Sequence, residues 1–349
     1  MNRTATSGFT LVEMVVAIGL LAIIFIGVLN MLDTSQTLSR VETALADTQE
    51  NVRFAAYHLT RTARMMGGGN MDFARADGTW LAGQIMNNRS GNVVTDFGTV
   101  QVIAGSDVVT LRGFFEVDIF FTNRFDIDSS AQTVTVRELR TPTAGADVIN
   151  NLNAVPGPGS LVGRGIAFMG RRQFIVGQVT SAAIVDASPD RHLVIGYSGG
   201  GPPWPSLNEG GATMSGSDPT FDVYRVGILD AYTYFVSPDR VLRRIGPNTG
   251  PQGEPVAVNI GSLQADIGLD TNGDQLADIW SPTLTAAQVA AGNVVGMQLG
   301  VFGRTPFEVP EWTEPTDSFA GFDLPINQVN RGAKWRRMQV VASLRNFVL

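Results

Sequence analysis

Apolar residues run almost unbroken from Phe9 to Leu29, interrupted only by Thr10 and Glu13. As a helix rising ~1.5 Å per residue, this stretch reaches ~32 Å, the thickness of bilayer hydrocarbon. After a polar break at Asp33, Thr34 and Ser35, apolar or small residues return at Leu38, Val41, Leu45, Thr48, Val52, Ala55 and Leu59. Steps of three and four place them on one helical stripe. Arg40, Glu42, Asp47, Glu50 and Arg53 occupy the rest of that surface. No proline falls within residues 1–141, and Gly67-Gly68-Gly69 closes the pattern as a helix stop. The spacing predicts one helix over residues 9–66, half for lipid and half for a protein surface. A membrane helix followed by a separate surface helix fits the same periodicity. Gly19 and Gly27 are the places where the apolar half could bend.

Beyond residue 80 the pattern changes. Short runs rich in valine, isoleucine and aromatics alternate with glycine, proline, asparagine and aspartate. The runs at 108–121, 133–139, 172–180, 191–197, 232–236, 296–304 and 336–349 read as strands. Only 283–292, "TLTAAQVAAG", has a helical texture. The stretches 154–160 and 198–211 read as surface loops, and the second reads equally as a binding loop. The expected fold class is α+β: a long N-terminal helix packed on a β-rich, mainly antiparallel head. The expected divisions are a leader at 1–8, a membrane half at 9–32, an amphipathic half at 33–66 and the head at 67–349.

Composition narrows the function. The chain has 349 residues and is 44% hydrophobic, enough for a sizeable core. Its formal net charge of −7 argues against nucleic acid as a partner. It has no cysteine, which excludes disulfides, thiol catalysis and thiolate metal sites. The two histidines, His58 and His192, stand in no catalytic motif; H-E-x-x-H, G-x-S-x-G and a phosphate-binding glycine loop are all lacking. The chain does not read as an enzyme.

The start of the chain carries the sharpest chemistry. A short polar head, "MNRTATSG", precedes the apolar run, with Arg3 as its positive charge. That charge predicts a cytoplasmic N-terminus. A secretory signal is cut after its apolar run, whereas the small residue here, Gly8, lies before it. A carboxylate in lipid costs roughly 2.5–3.5 kcal/mol on insertion scales, so Glu13 needs a partner or a place among headgroups.

The string Gly8-Phe9-Thr10-Leu11-Val12-Glu13 resembles the class III signal of type IV prepilins and type II secretion pseudopilins. The resemblance implies cleavage after Gly8 by an inner-membrane prepilin peptidase and methylation of the new N-terminus at Phe9. It further implies that Glu13 pairs with the Phe9 amine of a neighbouring subunit and so sets the register of a filament. Gly8 and Phe9 are then processing residues, and Phe9 and Glu13 assembly residues. A fainter resemblance runs further along the chain. "NVRFAAYHLTRTARMMGGG" (51–69), "YTYFVSPDRVLRRIG" (232–246), "VNIGSLQADIGLDTNGDQLADIW" (258–280) and "RRMQVVASLRN" are similar to segments of PilW-type minor pilins. That resemblance implies other minor and major pilins and the inner-membrane assembly platform as partners, with lipid as the surroundings before assembly. It implies a single-pass inner-membrane protein with a periplasmic head, later carried to the pilus or cell surface.

"DTNGDQLAD" offers a second chemistry. Asp270, Asn272, Asp274 and Asp278 alternate, with the Leu276 carbonyl between the last two. This spacing offers five oxygens to a wrapped cation, as Ca2+ requires. Gln275 and Ser281 stand where an EF-hand has glycine and glutamate, so it is not one. An acidic Asx-rich turn with no metal fits the same residues. Three functions are open at this point: a minor pilin that primes or caps a type IV pilus, a type II secretion pseudopilin, and a membrane-anchored periplasmic binding domain. A head of about 280 residues would crowd a repeating shaft, which favours the first.

Overall fold

The structure is a computed structural model. It describes residues 10–67, 82–95, 97–115, 120–122, 125–128, 130–136, 161–170, 174–187, 190–198, 223–246, 249–250, 252–283, 285, 288, 294–309, 312 and 332–343. One helix, α1, runs unbroken over Leu11–Met65. The strands are β1 (Gly83–Thr95), β2 (Gly98–Gly113), β3 (Phe120–Thr122), β4 (Phe125–Asp128), β5 (Thr133–Val136), β6 (Gly165–Gly170), β7 (Phe174–Ala187) and β8 (Asp190–Ser198). They continue with β9 (Val223–Val236), β10 (Val241–Ile245), β11 (Glu254–Val258), β12 (Ile260–Leu269), β13 (Ile279–Ser281), β14 (Val294–Arg304) and β15 (Trp335–Ser343).

Among the described residues the strands form two antiparallel sheets. The larger has eleven strands along the path β1-β2-β9-β6-β7-β8-β5-β4, with β3 and the β10–β11 hairpin attached to β9. The smaller has the order β13-β12-β14-β15. Helix α1 lies chiefly on β14 and β15. Fold class is therefore as the sequence implies: one long helix and a mainly antiparallel β-rich body.

The stripe explains where helix meets head. Val41, Ala44, Thr48, Val52, Ala55, Ala56, Leu59, Thr62 and Ala63 are buried. Of these, Val52, Ala55, Ala56, Leu59 and Ala63 join Leu263, Ile267, Leu299 and Val301 of the small sheet and Leu111 and Tyr234 of the large one in a single core. The face is built of small residues, and β14 meets it with a glycine. A Cβ on Gly303 would lie 2.8 Å from the Thr48 methyl and closer still to Val52. A second core, including Ile166, Phe168, Ile195, Tyr197 and Ile228, supports the far half of the large sheet.

Several expectations shift. Leu38 belongs to the periodic stripe yet is 56% exposed, because the head covers α1 only from Val41 onward. The run 108–121 is two strands. Strand β2 stops at Gly113, which bridges to Met66 at the helix end, and a Cβ there would sit 2.6 Å from the Met65 carbonyl. The 232–236 run is the end of the fourteen-residue β9, and 172–180 extends into the fourteen-residue β7. Strands β1, β4, β6 and β10 to β13 join those expected. The helix stop holds: Gly67 takes a left-handed φ of 70° and its N–H donates to the Arg112 carbonyl. The stretch 283–292 and the two loops lie largely outside the described residues.

Candidate functional site

The helix begins with a reciprocal cap. Thr10 is extended (φ −78°, ψ 151°), and its hydroxyl oxygen accepts the Glu13 N–H at 3.3 Å. In return, one Glu13 carboxylate oxygen accepts the Thr10 N–H at 2.9 Å and its hydroxyl at 3.0 Å. This capping box satisfies donors that no preceding turn can reach, and it puts a negative group where the helix dipole is positive. Glu13 is thus positioned by its own chain within an apolar surface. The signal for Thr10 is legible in the sequence as T-x-x-E, a capping pattern that the processing motif overlaps without using. Gly8 and Phe9 lie outside the described residues.

Below the cap, α1 is long and apolar enough to cross a membrane, and that part is wholly exposed. Leu11, Ile18, Ile23 and Phe25 are each at least 60% exposed. A surface of this kind is far larger than the apolar patches a soluble monomer leaves in water.

The 270–278 loop is brought together by its own amides. The Asp270 carboxylate accepts N–H groups of Asn272 at 3.0 Å, Gly273 at 2.6 Å and Gln275 at 2.8 Å. Its covering raises the carboxyl's pKa, but these amides outweigh that and hold it below the usual carboxylate range. Asn272 and Asp274 each accept the amide two residues on, at 2.8 Å. Asp278 accepts the Thr271 amide and hydroxyl, which lower its pKa. The Asn272 side-chain amide bridges Asp274 and Asp278 at 3.2 and 3.1 Å. Leu276 lies on the same loop with its side chain exposed. Among the described residues no three acidic or histidine side chains converge as a metal-holding group. The oxygen donors are on one loop, then, but N–H groups occupy them.

Buried polar groups pair within the head and at its seam with α1. Asp107 on β2 accepts the Asn88 amide of β1 at 2.7 Å and the Ala265 amide of β12 at 2.8 Å, tying the two sheets together. Burial nevertheless pushes its carboxyl up to about 6, and does the same to neighbouring Asp266. Arg164 and Asp230 form a buried ion pair at 3.2 Å. His58 on α1 meets Tyr234 of β9, with Nδ1 3.2 Å from the phenol oxygen. No local sequence pattern signals these pairings across distant segments. His192 is half-buried on β8.

Residues 3–29 match the family model described as the prokaryotic N-terminal methylation motif. No curated protein matches the chain. Among solved structures, a type IV-like pilin from Thermus thermophilus is similar at 14% identity. That similarity covers 60% of this chain and 100% of that one, with a TM-score of 0.25. The methylation-motif match thus runs into the start of the long helix that packs on an antiparallel β-rich body.

Proposed function

We propose that the chain is a minor pilin of a type IV pilus that primes filament assembly or caps its tip. One observation carries the reading. A methylation motif at residues 3–29 leads directly into a membrane-length helix whose distal half is the spine of the head. Prepilin peptidase cuts after Gly8, and Phe9 becomes the methylated N-terminus. Glu13, already oriented by Thr10, then offers its carboxylate to the Phe9 amine of an adjoining subunit. The head of about 280 residues supports a terminal position, since so bulky a body fits poorly in a tight helical lattice. The PilW-type likeness of the segments at 51–69, 232–246 and 258–280 supports the same place. Partners are other minor and major pilins, the peptidase and the inner-membrane assembly platform. The protein is a structural subunit, anchored in the inner membrane before assembly, with its head in the periplasm.

The proposal extends to Ca2+ at Asp270, Asn272, Asp274, the Leu276 carbonyl and Asp278. An ion there would replace the Asn272 amide as the bridge between Asp274 and Asp278. Deletion of the gene followed by counting surface pili tests the main reading. Loss of pili supports it. Normal pili with lost protein secretion would establish the pseudopilin role instead.

A further inference from the structure

The sequence has a single Asn-Gly step, Asn272-Gly273, and the fold places it in the turn between β12 and β13. Both residues are exposed. Gly273 takes a left-handed φ of 84°, and a Cβ there would meet nothing within 4 Å, so conformation and not space calls for glycine. With no side chain at 273, nothing on that residue shields its amide nitrogen from the Asn272 side chain. Asparagine is thermolabile because the next backbone nitrogen can close a five-membered ring on its Cγ.

Hydrogen bonds within the turn address each participant in that closure. The nucleophile is the Gly273 amide nitrogen, whose N–H donates to the Asp270 carboxylate at 2.6 Å. That bond orients the amide and leaves electron density on its nitrogen. The electrophile is Asn272 Cγ. Its Oδ1 accepts the Asp274 N–H at 2.8 Å, so a donor is already aimed at the oxygen on which negative charge develops. The same bond makes an Asx-turn, which folds the side chain back over the peptide that follows it. The leaving group is Nδ2, which donates to Asp274 at 3.2 Å and to Asp278 at 3.1 Å. Ammonia would depart between acceptors.

We propose that Asn272 is a site of spontaneous deamidation in the folded protein. The Gly273 nitrogen gives its proton to solvent and bonds to Cγ. The Cγ–Nδ2 bond breaks, and Nδ2 takes a proton from solvent and leaves as ammonia. Water then opens the succinimide. Breaking the new Cγ–N bond gives aspartate, and breaking the original peptide bond gives isoaspartate. The product changes the turn. The amide that donated to Asp274 and Asp278 becomes a third carboxylate facing both, so two hydrogen bonds are lost and like charges meet. One negative charge is added to a chain already at −7. Isoaspartate also lengthens the backbone by one methylene, which displaces the Asp274 amide. The turn thereby loosens as the protein ages. The inference rests on the turn's own geometry and depends neither on Ca2+ nor on the assembly role.

The test uses freshly purified full-length protein in mild detergent, held at neutral and at mildly alkaline pH with a chelator present. Circular dichroism follows the fold, and peptide mass spectrometry with fragmentation follows every asparagine. Asn272 is expected to convert to aspartate and isoaspartate ahead of every other asparagine, while the fold persists, and several-fold faster at the higher pH. Isoelectric focusing should show a more acidic band growing in step. Asn272→Gln should abolish that band, because its longer side chain must close a six-membered ring, yet it keeps an amide. Another asparagine converting first, an Asn272 that converts only after unfolding in urea, or an acidic band that persists in Asn272→Gln would each overturn the proposal. If Asn272→Gln does not fold, the site-by-site conversion in the parent decides the matter alone.

Discussion

Substitution of Gly303 by alanine should change sign with its surroundings. In the native protein the new Cβ would lie 2.8 Å from the Thr48 methyl, and nearer to Val52, where ordinary contact needs about 3.5–4.0 Å. Helix and strand must separate by up to ~1 Å along a seam that is otherwise close-packed. Overpacking of this kind costs about 1–3 kcal/mol. Removing a glycine from the unfolded chain returns about 0.4–1 kcal/mol, leaving a net loss of about 1–2 kcal/mol. Thr48→Ser with Val52→Ala clears the space. The serine keeps the hydroxyl bond to the Ala44 carbonyl, 2.7 Å in the parent, and the alanine removes two methyl groups. That background alone should lose about 2 kcal/mol or more by transfer and cavity terms. Within it, Gly303→Ala should be neutral or stabilising by up to ~1 kcal/mol. Thermal unfolding of full-length protein in mild detergent, followed by near-ultraviolet circular dichroism, reads the cycle. The native-background shift should be a few degrees downward. An equal loss in both backgrounds would refute the argument that the helix–strand approach sets the requirement for glycine.

Four other outcomes are expected. Glu13→Gln should still be cleaved after Gly8 but fail to enter pili, accumulating as mature protein in the inner membrane; wild-type piliation would count against intersubunit pairing. Gly8→Val should leave a full-length precursor, and mass spectrometry finding methylated Phe9 at a normal level would exclude the class III signal. Asp107 and Asp266 are raised to about 6 when folded, so the unfolded chain binds fewer protons between about pH 4 and 6 and stability falls as pH rises through that range. Asp107→Asn should flatten part of that slope in urea titrations at pH 4.5 and 6.5, and an unchanged slope would exclude Asp107 as its source. Calorimetry should show Ca2+ binding at millimolar concentration that Asp278→Asn weakens; no heat would exclude the ion.

What could be read from the chain followed from periodicity and proximity in sequence. Helix α1 was legible because a 3.6-residue repeat continues across the polar break at Asp33, and its stop because Gly67 meets a left-handed requirement. The Thr10–Glu13 cap is equally local and was present as T-x-x-E. Leu38 misled because periodicity reports which face is apolar, and not how far the head reaches. Strand β1, "GQIMNNRSGNVVT", is too polar and glycine-rich to stand out; pairing with β2 makes it a strand, and that pairing slips at Arg89. The alternation in 270–278 foretold side-chain oxygens on one loop, but only geometry shows backbone amides filling them. Contacts such as His58 with Tyr234, or Asp107 with Ala265, join residues more than 150 positions apart and have no sequence signature.

The uninterrupted course of α1 has a mechanical consequence. No flexible hinge lies between its exposed first half and the part seated on β14 and β15. Tension applied near Leu11 therefore travels down a single rod of hydrogen-bonded turns into the head. It arrives as shear, spread over the buried contacts from Val41 to Ala63, which span ~33 Å at ~1.5 Å per residue. Shear loads many contacts at once, whereas peeling would break them in turn. The seam is thus built to resist a pull along the helix axis and to yield more readily to one across it.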